Sequence, residues 1–522
     1  MRDNLLRFLH ELCGKAMATR GMVGEFAVAF RVSRIISLFP SITMKLSLIR
    51  SAAASLSRGN FAKISSADLS FFEKSIGNDY VKTKEIDNYT SDWTRQMKGS
   101  SECVLLPTST EETSAILRYC AEKRIAIVVQ GGNTGLVGGA TPIYDEVVLS
   151  TSRINKRFHL EASSGVLTLD GGFILADADN RLAERGFMMP LDLGAKGSCQ
   201  IGGCVAAGAG GIRLLRYGSL HSHLLGCTLV DGKGTILNLG GRLRKDNTSL
   251  HTAHLAIGSE GQLGVVTSVT MGVVPRPQSI LSAMLAVSSY SDCIRLLSLA
   301  RSKLGEILSS FEVIDGDTMK CVERHLPLKN VFEGEHNFYL LIETHGSNGD
   351  HDAEKLNGFV EEALGAELAV DGVAANSESE RAHMWRLREE SPLAAAKDGY
   401  IYKFDVSLPL EHFYRLTEET REKLKGRARV YCYGHLGDGN SHLNVTTDGE
   451  DEELKKELSP FVYNWVVSHG GSISAEHGIG QLKRDYRSLG KSEEESALIR
   501  SLKDVFDPHR ILCPYKMIHS QE

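Results

Sequence analysis

The chain has 522 residues, of which 42% are hydrophobic and 24% are charged, and its formal net charge is -6. This composition is typical of a soluble globular protein, and the length allows two or three domains with buried cores. A nucleic-acid-binding protein needs a concentrated basic face, so we expect the partner to be a small molecule or another protein. The ten cysteines include no CxxC or CxxxC pair, which indicates reduced thiols in a reducing compartment.

The N-terminal region is basic and contains no acidic residue over 26–67. Arginine and lysine recur there among serine, alanine and leucine, which is typical of a mitochondrial transit peptide. We therefore predict a transit region over 1–66 and a mitochondrial matrix location, with Met44 as an alternative start. The other interpretation is a basic surface helix that stays in the mature protein. The apolar stretch 35–44 is shorter than the ~20 residues of a membrane span, so we expect no transmembrane segment.

The next elements are a strand, a helix and a second strand. CVLLP at 103–107 predicts a strand, cap residues and helical spacing predict a helix over 108–124, and IAIVVQ at 125–130 predicts a short buried strand. The second strand runs directly into GGNTGLVGGA at 131–140. Successive backbone N–H groups in such a loop suit an anionic phosphate. The loop is neither a Walker motif nor a GxGxxG dinucleotide fingerprint, because the glycine spacing differs and the lysine is absent.

A glycine-rich region and a change of pattern follow. We predict β-structure over 146–156 and 165–172, a helix over 173–186, and a long glycine-rich loop system over 188–240 that feeds a hairpin. The alternating segment 257–277 ends at Pro275 and Pro277, which mark a domain boundary. Beyond it helices and strands alternate, which predicts an α+β sandwich, a sheet with helices on one face.

Two short segments near the C-terminus offer metal ligands. In GHLGDGNSHLN at 434–444, His435 and His442 flank an Asp-Gly-Asn turn that folds two extended runs back on each other. In AEHG at 475–478, Glu476 adds a carboxylate and His477 is a spare base. Two imidazoles and one carboxylate are a common ligand set for a catalytic divalent metal with an open position. The alternative is loop histidines with ordinary hydrogen bonds, and the metal site by itself is equally compatible with a hydrolase.

Five motif regions occur in the order of one known family. They are QGGNTGLVGG, PLDLGAKGS with GGIRLLRYGSLH, IGSEGQLGVVT, GHLGDGN and AEHGIG. Over about 85 to 517 the chain resembles the vanillyl-alcohol-oxidase-type flavoproteins, in particular the FAD-linked D-2-hydroxyacid dehydrogenases. The resemblance implies an α+β fold with a two-part FAD-binding domain over 85–277 and an α+β substrate domain over 278–457. It also implies a small, mostly helical C-terminal region over 458–522 that completes the active site and returns to the FAD domain.

The resemblance assigns the FAD contacts to three sets of residues. The pyrophosphate would lie on the first loop, formed by Gly131, Gly132, Asn133, Thr134 and Gly135. The flavin would be lined by Pro190, Gly194, Ala195, Ser198, Gly202, Gly203 and Gly211. The adenine-ribose side would be approached by Glu260, Gly261 and Val266. No cysteine or histidine matches a position for covalent linkage, so we expect FAD to be bound tightly but non-covalently.

The resemblance also implies a substrate with two carboxylates, D-2-hydroxyglutarate, which would be oxidised to 2-oxoglutarate. Arg388 and Lys403 match positions that hold the distal carboxylate, while the metal, zinc by first preference and manganese or cobalt otherwise, would hold the proximal end. Asn444 would bind the proximal carboxylate or the hydroxyl, and His477 would be the base. Lys403 on its own is equally compatible with an exposed edge-strand lysine.

Some positions depart from the family pattern and leave alternatives open. Ala207 and Gly208 replace a threonine and an asparagine, Pro392 replaces a threonine, and Cys513 replaces an asparagine. A D-lactate or other D-2-hydroxyacid dehydrogenase of the same fold therefore remains an alternative, as does a catalytically impaired flavin-binding relative. The chain has no haem or iron–sulfur motif, and the resemblance implies electron-transfer flavoprotein as the external acceptor.

Overall fold

The computed structural model describes residues 57–518. The predicted transit region over 1–66 lies almost entirely outside the described residues. Within 57–518, no helix is both long enough and apolar enough to cross a membrane.

Helices surround the sheets, and side-chain caps mark where several of them begin. Ser109, for example, accepts a hydrogen bond from the backbone N–H of Glu112 at the start of helix Thr110–Lys123, which satisfies one of the free donors of the first turn. Short 3-10 helices cover Asn78–Tyr80, Thr252–Ala256 and Arg484–Tyr486. The α-helices are Ser66–Ile76, Asp87–Thr90, Thr110–Lys123, Leu175–Ala183, Ile201–Ala207, Leu214–Tyr217, Leu220–His223, Tyr290–Lys303, Gly316–His325, Gly349–Gly365, Glu378–Glu389, Ser391–Asp398, Leu410–Phe413, Arg415–Lys423, Glu452–Ser468 and Glu493–Phe506.

The strands form four sheets within the described range. In chain order they are β1 (Val81–Lys82), β2 (Val104–Leu105), β3 (Ile127–Gln130), β4 (Val147–Ser150), β5 (Phe158–Glu161), β6 (Val166–Asp170), β7 (Phe187–Met188), β8 (Leu224–Val230), β9 (Ile236–Gly240), β10 (Val265–Gly272), β11 (Val274–Pro275), β12 (Ser279–Val287), β13 (Leu308–Asp315), β14 (Phe338–Gly346), β15 (Asp371–Ala374), β16 (Tyr400–Ser407), β17 (Arg429–His435) and β18 (Asn440–Thr447). The sheet orders are β1-β2-β4-β3, β5-β6-β10-β8-β9, β11-β7 and β15-β12-β14-β13-β17-β18-β16.

The first two sheets contain the predicted strand-helix-strand unit and the glycine-rich loops. The predicted strands at 103–107 and 125–130 are confirmed as β2 and β3, each shorter than predicted, and the helix between them is confirmed. The loop at 131–135 leaves the end of β3, and helix Ile201–Ala207 packs against β10 of the five-stranded sheet.

The seven-stranded sheet has helices on both faces. Strands β13 and β14 are buried at every position, so each face of the sheet needs an apolar cover. Helices Tyr290–Lys303 and Gly349–Gly365 pack on one face. Helices Gly316–His325 and Glu378–Glu389 pack on the other. The prediction of helices on one face was therefore wrong.

The adjacent strands β16, β17 and β18 carry apolar residues on one face and polar residues on the other. Tyr402, Phe404, Leu443 and Val445 pack with helices Arg415–Lys423 and Glu452–Ser468 behind β16, β17 and β18. Because successive side chains of a strand point to opposite faces, the alternate residues of these strands lie on the other face. That face carries the polar residues of the candidate site.

Candidate active site

The strand register brings the predicted site residues of the seven-stranded sheet together. Residues directly opposite each other on antiparallel strands share a face and lie close together. The opposed pairs on the site face are Glu312 with His435, Tyr433 and Asp405 with His442, and Lys403 with Asn444. The β17–β18 hairpin therefore holds His435 and His442 on one surface, as its Asp-Gly-Asn turn predicts.

Three imidazoles converge on one carboxylate oxygen. Glu476 Oε1 lies 3.8 Å from His435 Nε2, 3.6 Å from His442 Nε2 and 3.7 Å from His477 Nε2. Donor atoms that share a tetrahedral zinc ion at ~2.1 Å are about 3.4 Å apart. The distances from Glu476 to His435 and His442 are compatible with a shared divalent metal, although His435 lies outside the group of four residues whose ligand atoms are all within 4.8 Å of one another.

Each imidazole has a carboxylate behind it, on the side away from Glu476. His435 Nδ1 is 2.9 Å from Glu312 Oε1. Asp405 lies 3.9 Å from His442 Nδ1 and 3.8 Å from His477 Nδ1. A carboxylate behind a histidine orients its ring and raises its basicity as a ligand.

Burial and these charges act in opposite directions on the titrating groups. Burial disfavours charged His435, but Glu312 and Glu476 outweigh it and raise its pKa to about 10. Burial lowers the pKa of His442 to about 3, so its ring is neutral and able to bind a metal at neutral pH. Burial also opposes ionisation of Glu476, but its contacts with His435, His442 and His477 hold its pKa at about 2.

Asp405 organises the segment that carries Glu476 and His477. Its Oδ2 accepts hydrogen bonds from the backbone N–H groups of Ala475, Glu476 and His477 at 3.1, 3.1 and 2.9 Å. Burial by itself would raise the pKa of this carboxyl. The opposing effect of His477, Lys483, His442 and the backbone donors is larger, so its pKa lies well below its usual range. Asp405, His442, Glu476 and His477 also place one ligand atom each within 4.8 Å of one another. Because its Oδ2 is occupied by backbone donors, we assign Asp405 to positioning.

The predicted substrate residues lie beside this cluster. Arg388 projects from helix Glu378–Glu389, is buried, donates through Nε to Glu312 at 2.9 Å and lies 4.9 Å from the Tyr433 ring centroid. Lys403 is partly buried, forms no salt bridge within 57–518, and has its pKa lowered by burial. Asn444 is buried, and its Nδ2 has no hydrogen-bond partner there. An unpaired buried donor is costly, so it marks where a ligand atom is expected.

The residues predicted to hold FAD lie on backbone segments in close contact. A Cβ on Gly132 would lie 2.0 Å from the Ser198 carbonyl, and one on Gly202 would lie 2.8 Å from the Val266 carbonyl. Only glycine permits these approaches. Gly203 faces Gly131, and a Cβ on Gly211 would lie 2.2 Å from the Asp192 carbonyl. The predicted flavin-lining segment at 194–198 is largely exposed, and positions 194 and 197 have open space where a Cβ would lie.

The remaining predicted FAD residues are placed as follows. Asn133 donates to the Ser91 carbonyl at 2.7 Å. Gly261 adopts a φ of 75° against Cys513 and Val129. The other members of the set vary in exposure: Pro190 and Val266 are buried, Thr134 and Ala195 are partly buried, and Gly135 is exposed.

The metal-ligand cluster and the glycine-rich segments touch each other. A Cβ on Gly210 would lie 3.3 Å from Glu476 Oε2. Glu260 accepts hydrogen bonds of 2.7 Å from the backbone N–H groups of Ile479 and Gly480, two and three residues after His477. Burial raises the pKa of this carboxyl. Glu260 therefore holds the segment that follows His477 against the glycine-rich region. Its contact with the adenine-ribose side of FAD stays a prediction.

Sequence reasoning missed two carboxylates of the site. Glu312 lies in a fully buried strand without a local motif. Asp405 follows Lys403 by two residues, so strand alternation places both on one face. Its contacts with His442 and His477, like the contact of Glu312 with His435, depend on which strands and segments meet in the fold.

Comparison with known proteins identifies the family. Residues 101–240 match the family model described as "FAD binding domain", and residues 276–517 match "FAD linked oxidases, C-terminal domain". The mitochondrial D-2-hydroxyglutarate dehydrogenases of Arabidopsis thaliana and Danio rerio are each 45% identical to this chain. The match covers 90% of this chain and 85% of the Arabidopsis protein, and 88% and 86% for the Danio protein. A putative mitochondrial D-lactate dehydrogenase of Schizosaccharomyces pombe is 44% identical, covering 88% of this chain and 91% of the relative.

Solved structures of low identity share the fold. A p-cresol methylhydroxylase matches with a TM-score of 0.69 at 13% identity, covering 87% of this chain and 97% of that one. An alkyldihydroxyacetonephosphate synthase matches with a TM-score of 0.68 at 16% identity, covering 88% and 86%. The chain therefore belongs to the FAD-linked D-2-hydroxyacid dehydrogenases, a family of oxidoreductases with the vanillyl-alcohol-oxidase-type α+β fold.

Proposed function

We propose that this enzyme oxidises D-2-hydroxyglutarate to 2-oxoglutarate, with FAD as the electron carrier and a divalent metal, zinc by first preference, held by His435, His442 and Glu476. The observation that carries the proposal is that one face of the seven-stranded sheet carries the histidine-carboxylate cluster and two cations. His435, His442 and His477 surround Glu476, Arg388 lies on Glu312 and Tyr433, and Lys403 lies opposite Asn444. A hydroxy diacid has one carboxylate for the metal and one for a cation.

Each residue of the site has a separate role in the proposed reaction. Arg388 and Lys403 bind the distal carboxylate, and Asn444 Nδ2 donates to the proximal carboxylate or the hydroxyl. His477 Nε2 removes the hydroxyl proton as the C2 hydride leaves and the carbonyl forms. When bound, FAD supplies the hydride acceptor and the metal supplies Lewis acidity at the hydroxyl and proximal carboxylate.

Oxidation of D-lactate is the second candidate, and the Schizosaccharomyces pombe relative favours it. Pro392 also bears on this choice, because a threonine there would offer a hydroxyl to the distal carboxylate. Pro392 lies in the first turn of helix Ser391–Asp398, where a backbone N–H lacks a helical acceptor in any case. Only the hydroxyl is missing, so the diacid remains the first choice. A catalytically impaired relative is disfavoured, because the sequence retains His435, His442, Glu476 and His477 and the three histidines lie within 4 Å of Glu476 Oε1.

We place the enzyme in the mitochondrial matrix and propose electron-transfer flavoprotein as its electron acceptor. The location is supported by the basic, acid-free segment at 26–67 and by relatives named as mitochondrial. The acceptor is supported by the family resemblance and by the lack of a haem or iron–sulfur motif in the sequence.

Removal of the metal tests the proposed function. Dialysis of the purified flavoprotein against a strong chelator is expected to abolish flavin reduction by D-2-hydroxyglutarate, while the bound FAD and the fold remain. Addition of zinc, manganese or cobalt should restore reduction, and anaerobic absorbance at the flavin band measures both steps. Full reduction by a preparation shown to contain no metal would contradict the proposal.

A further inference from the structure

We propose that Glu312 is a positioning residue that couples His435, a proposed metal ligand, to Arg388, which is proposed to bind the distal carboxylate. This inference rests on the proposed function and concerns a residue outside every motif described above. Glu312 contacts both residues and would touch neither the substrate nor the metal.

The geometry of Glu312 places one oxygen on each partner. Its Oε1 lies 2.9 Å from His435 Nδ1, and its Oε2 accepts a 2.9 Å hydrogen bond from Arg388 Nε. The three side chains are 2, 9 and 7% exposed, respectively. Solvent screening is weak at such burial, so both contacts are strong and directional.

The contact with Glu312 determines which nitrogen atoms of Arg388 can still donate to another group. Nε is committed to Glu312, and neither terminal nitrogen forms a hydrogen bond within residues 57–518. The guanidinium lies against the Tyr433 ring, which restricts its plane. The two terminal nitrogens are thus held ready for a carboxylate in the bidentate arrangement that arginine favours.

The contact with His435 determines how that ring meets the metal. A carboxylate on Nδ1 holds the proton there, so that Nε2 is the nitrogen that would bind a metal once its own proton is displaced, and loss of such a partner typically costs about 10- to 100-fold in metal affinity. Because one side chain makes both contacts, a change at Glu312 should alter metal binding through His435 and diacid binding through Arg388 together.

Glu312→Gln tests the coupling, because it keeps the size of the side chain but replaces one acceptor oxygen with an N–H donor. We expect zinc affinity, measured by competition with a chromophoric chelator, to fall by about 10-fold or more. We also expect the KM for D-2-hydroxyglutarate to rise more than the KM for D-lactate, measured by anaerobic flavin reduction of the zinc-saturated protein.

Glu343→Gln is the matched control. Glu343 is also a buried strand carboxylate that contacts a histidine and an arginine, His345 at 3.0 Å and Arg381 at 3.1 Å. Arg381 lies on the same helix as Arg388. This variant should lose thermal stability but keep zinc affinity within about twofold and the ratio of the two KM values unchanged.

The results distinguish failure of the Glu312 proposal from failure of the proposed function. Wild-type zinc affinity, or an unchanged KM ratio, in Glu312→Gln would overturn the coupling. If the wild-type flavin is not reduced by D-2-hydroxyglutarate, the proposed function fails, and zinc competition still decides whether Glu312 supports His435. If Glu312→Gln does not fold, Glu312→Asp replaces it, since it keeps the charge but is one methylene too short to reach both partners. The same two losses are then expected.

Discussion

His477→Ala is expected to abolish reduction of the flavin by D-2-hydroxyglutarate, with the metal and the FAD still bound. In the proposed site His477 Nε2 takes the hydroxyl proton, and removal of a general base typically costs 10²- to 10⁴-fold in rate. Both ring nitrogens lie 3.7 to 3.8 Å from the nearest carboxylate oxygens. His477 is therefore close to the ligand cluster without a short bond that commits either nitrogen. Stopped-flow absorbance under anaerobic conditions measures the loss.

The control for this prediction is a histidine of the same region with another role. His469 stacks on Trp465 at 3.8 Å between ring centroids. In His469→Ala, D-2-hydroxyglutarate should reduce the flavin at the wild-type rate. Metal analysis of the His477→Ala protein should show the wild-type content. Reduction of the flavin at the wild-type rate in His477→Ala, or loss of the metal from this variant, would contradict the assignment of His477 as the base.

Lys403→Met is expected to weaken the reaction with the diacid and to leave the reaction with D-lactate unchanged. The methionine keeps the length of the stem but removes the ammonium group that would bind the distal carboxylate. A hydrogen bond to a charged group contributes about 1.5 to 3 kcal/mol, so the KM for D-2-hydroxyglutarate should rise by roughly 10- to 150-fold. D-Lactate has no distal carboxylate and should respond little.

Lys397 provides the comparison for Lys403. It is an exposed lysine on helix Ser391–Asp398, and Lys397→Met should leave the KM for both substrates at the wild-type values. An equal loss for the diacid and for D-lactate in Lys403→Met would show that Lys403 supports the fold or the reacting centre instead of the distal carboxylate.

The ligand segments could be predicted because their signals are local. The Asp-Gly-Asn turn between His435 and His442 is encoded in adjacent residues, and the hairpin forms where that turn predicts. Glu476 and His477 are neighbours in sequence, and only their meeting with the hairpin required the structure. The glycines at 132, 202 and 211 likewise occur where two backbone segments are too close to admit a Cβ.

The supporting carboxylates could not be predicted, because their roles depend on long-range register. Glu312 lies 123 residues before His435, and nothing near it in sequence differs from an ordinary buried strand. The helices on both faces of the large sheet were missed for a related reason. Buried strands such as β13 and β14 lack the alternation that would tell a one-sided sheet from a two-sided one.

Anaerobic titration of the metal-loaded flavoprotein decides whether this site oxidises a hydroxy diacid. D-2-Hydroxyglutarate and D-lactate are added in parallel, and the flavin absorbance and the oxo acid formed are measured. We expect D-2-hydroxyglutarate to bleach the flavin with one 2-oxoglutarate formed per FAD, at far lower concentrations than D-lactate requires. Bleaching by D-lactate at low concentration, with the flavin still oxidised in excess D-2-hydroxyglutarate, would show that the site does not oxidise the diacid.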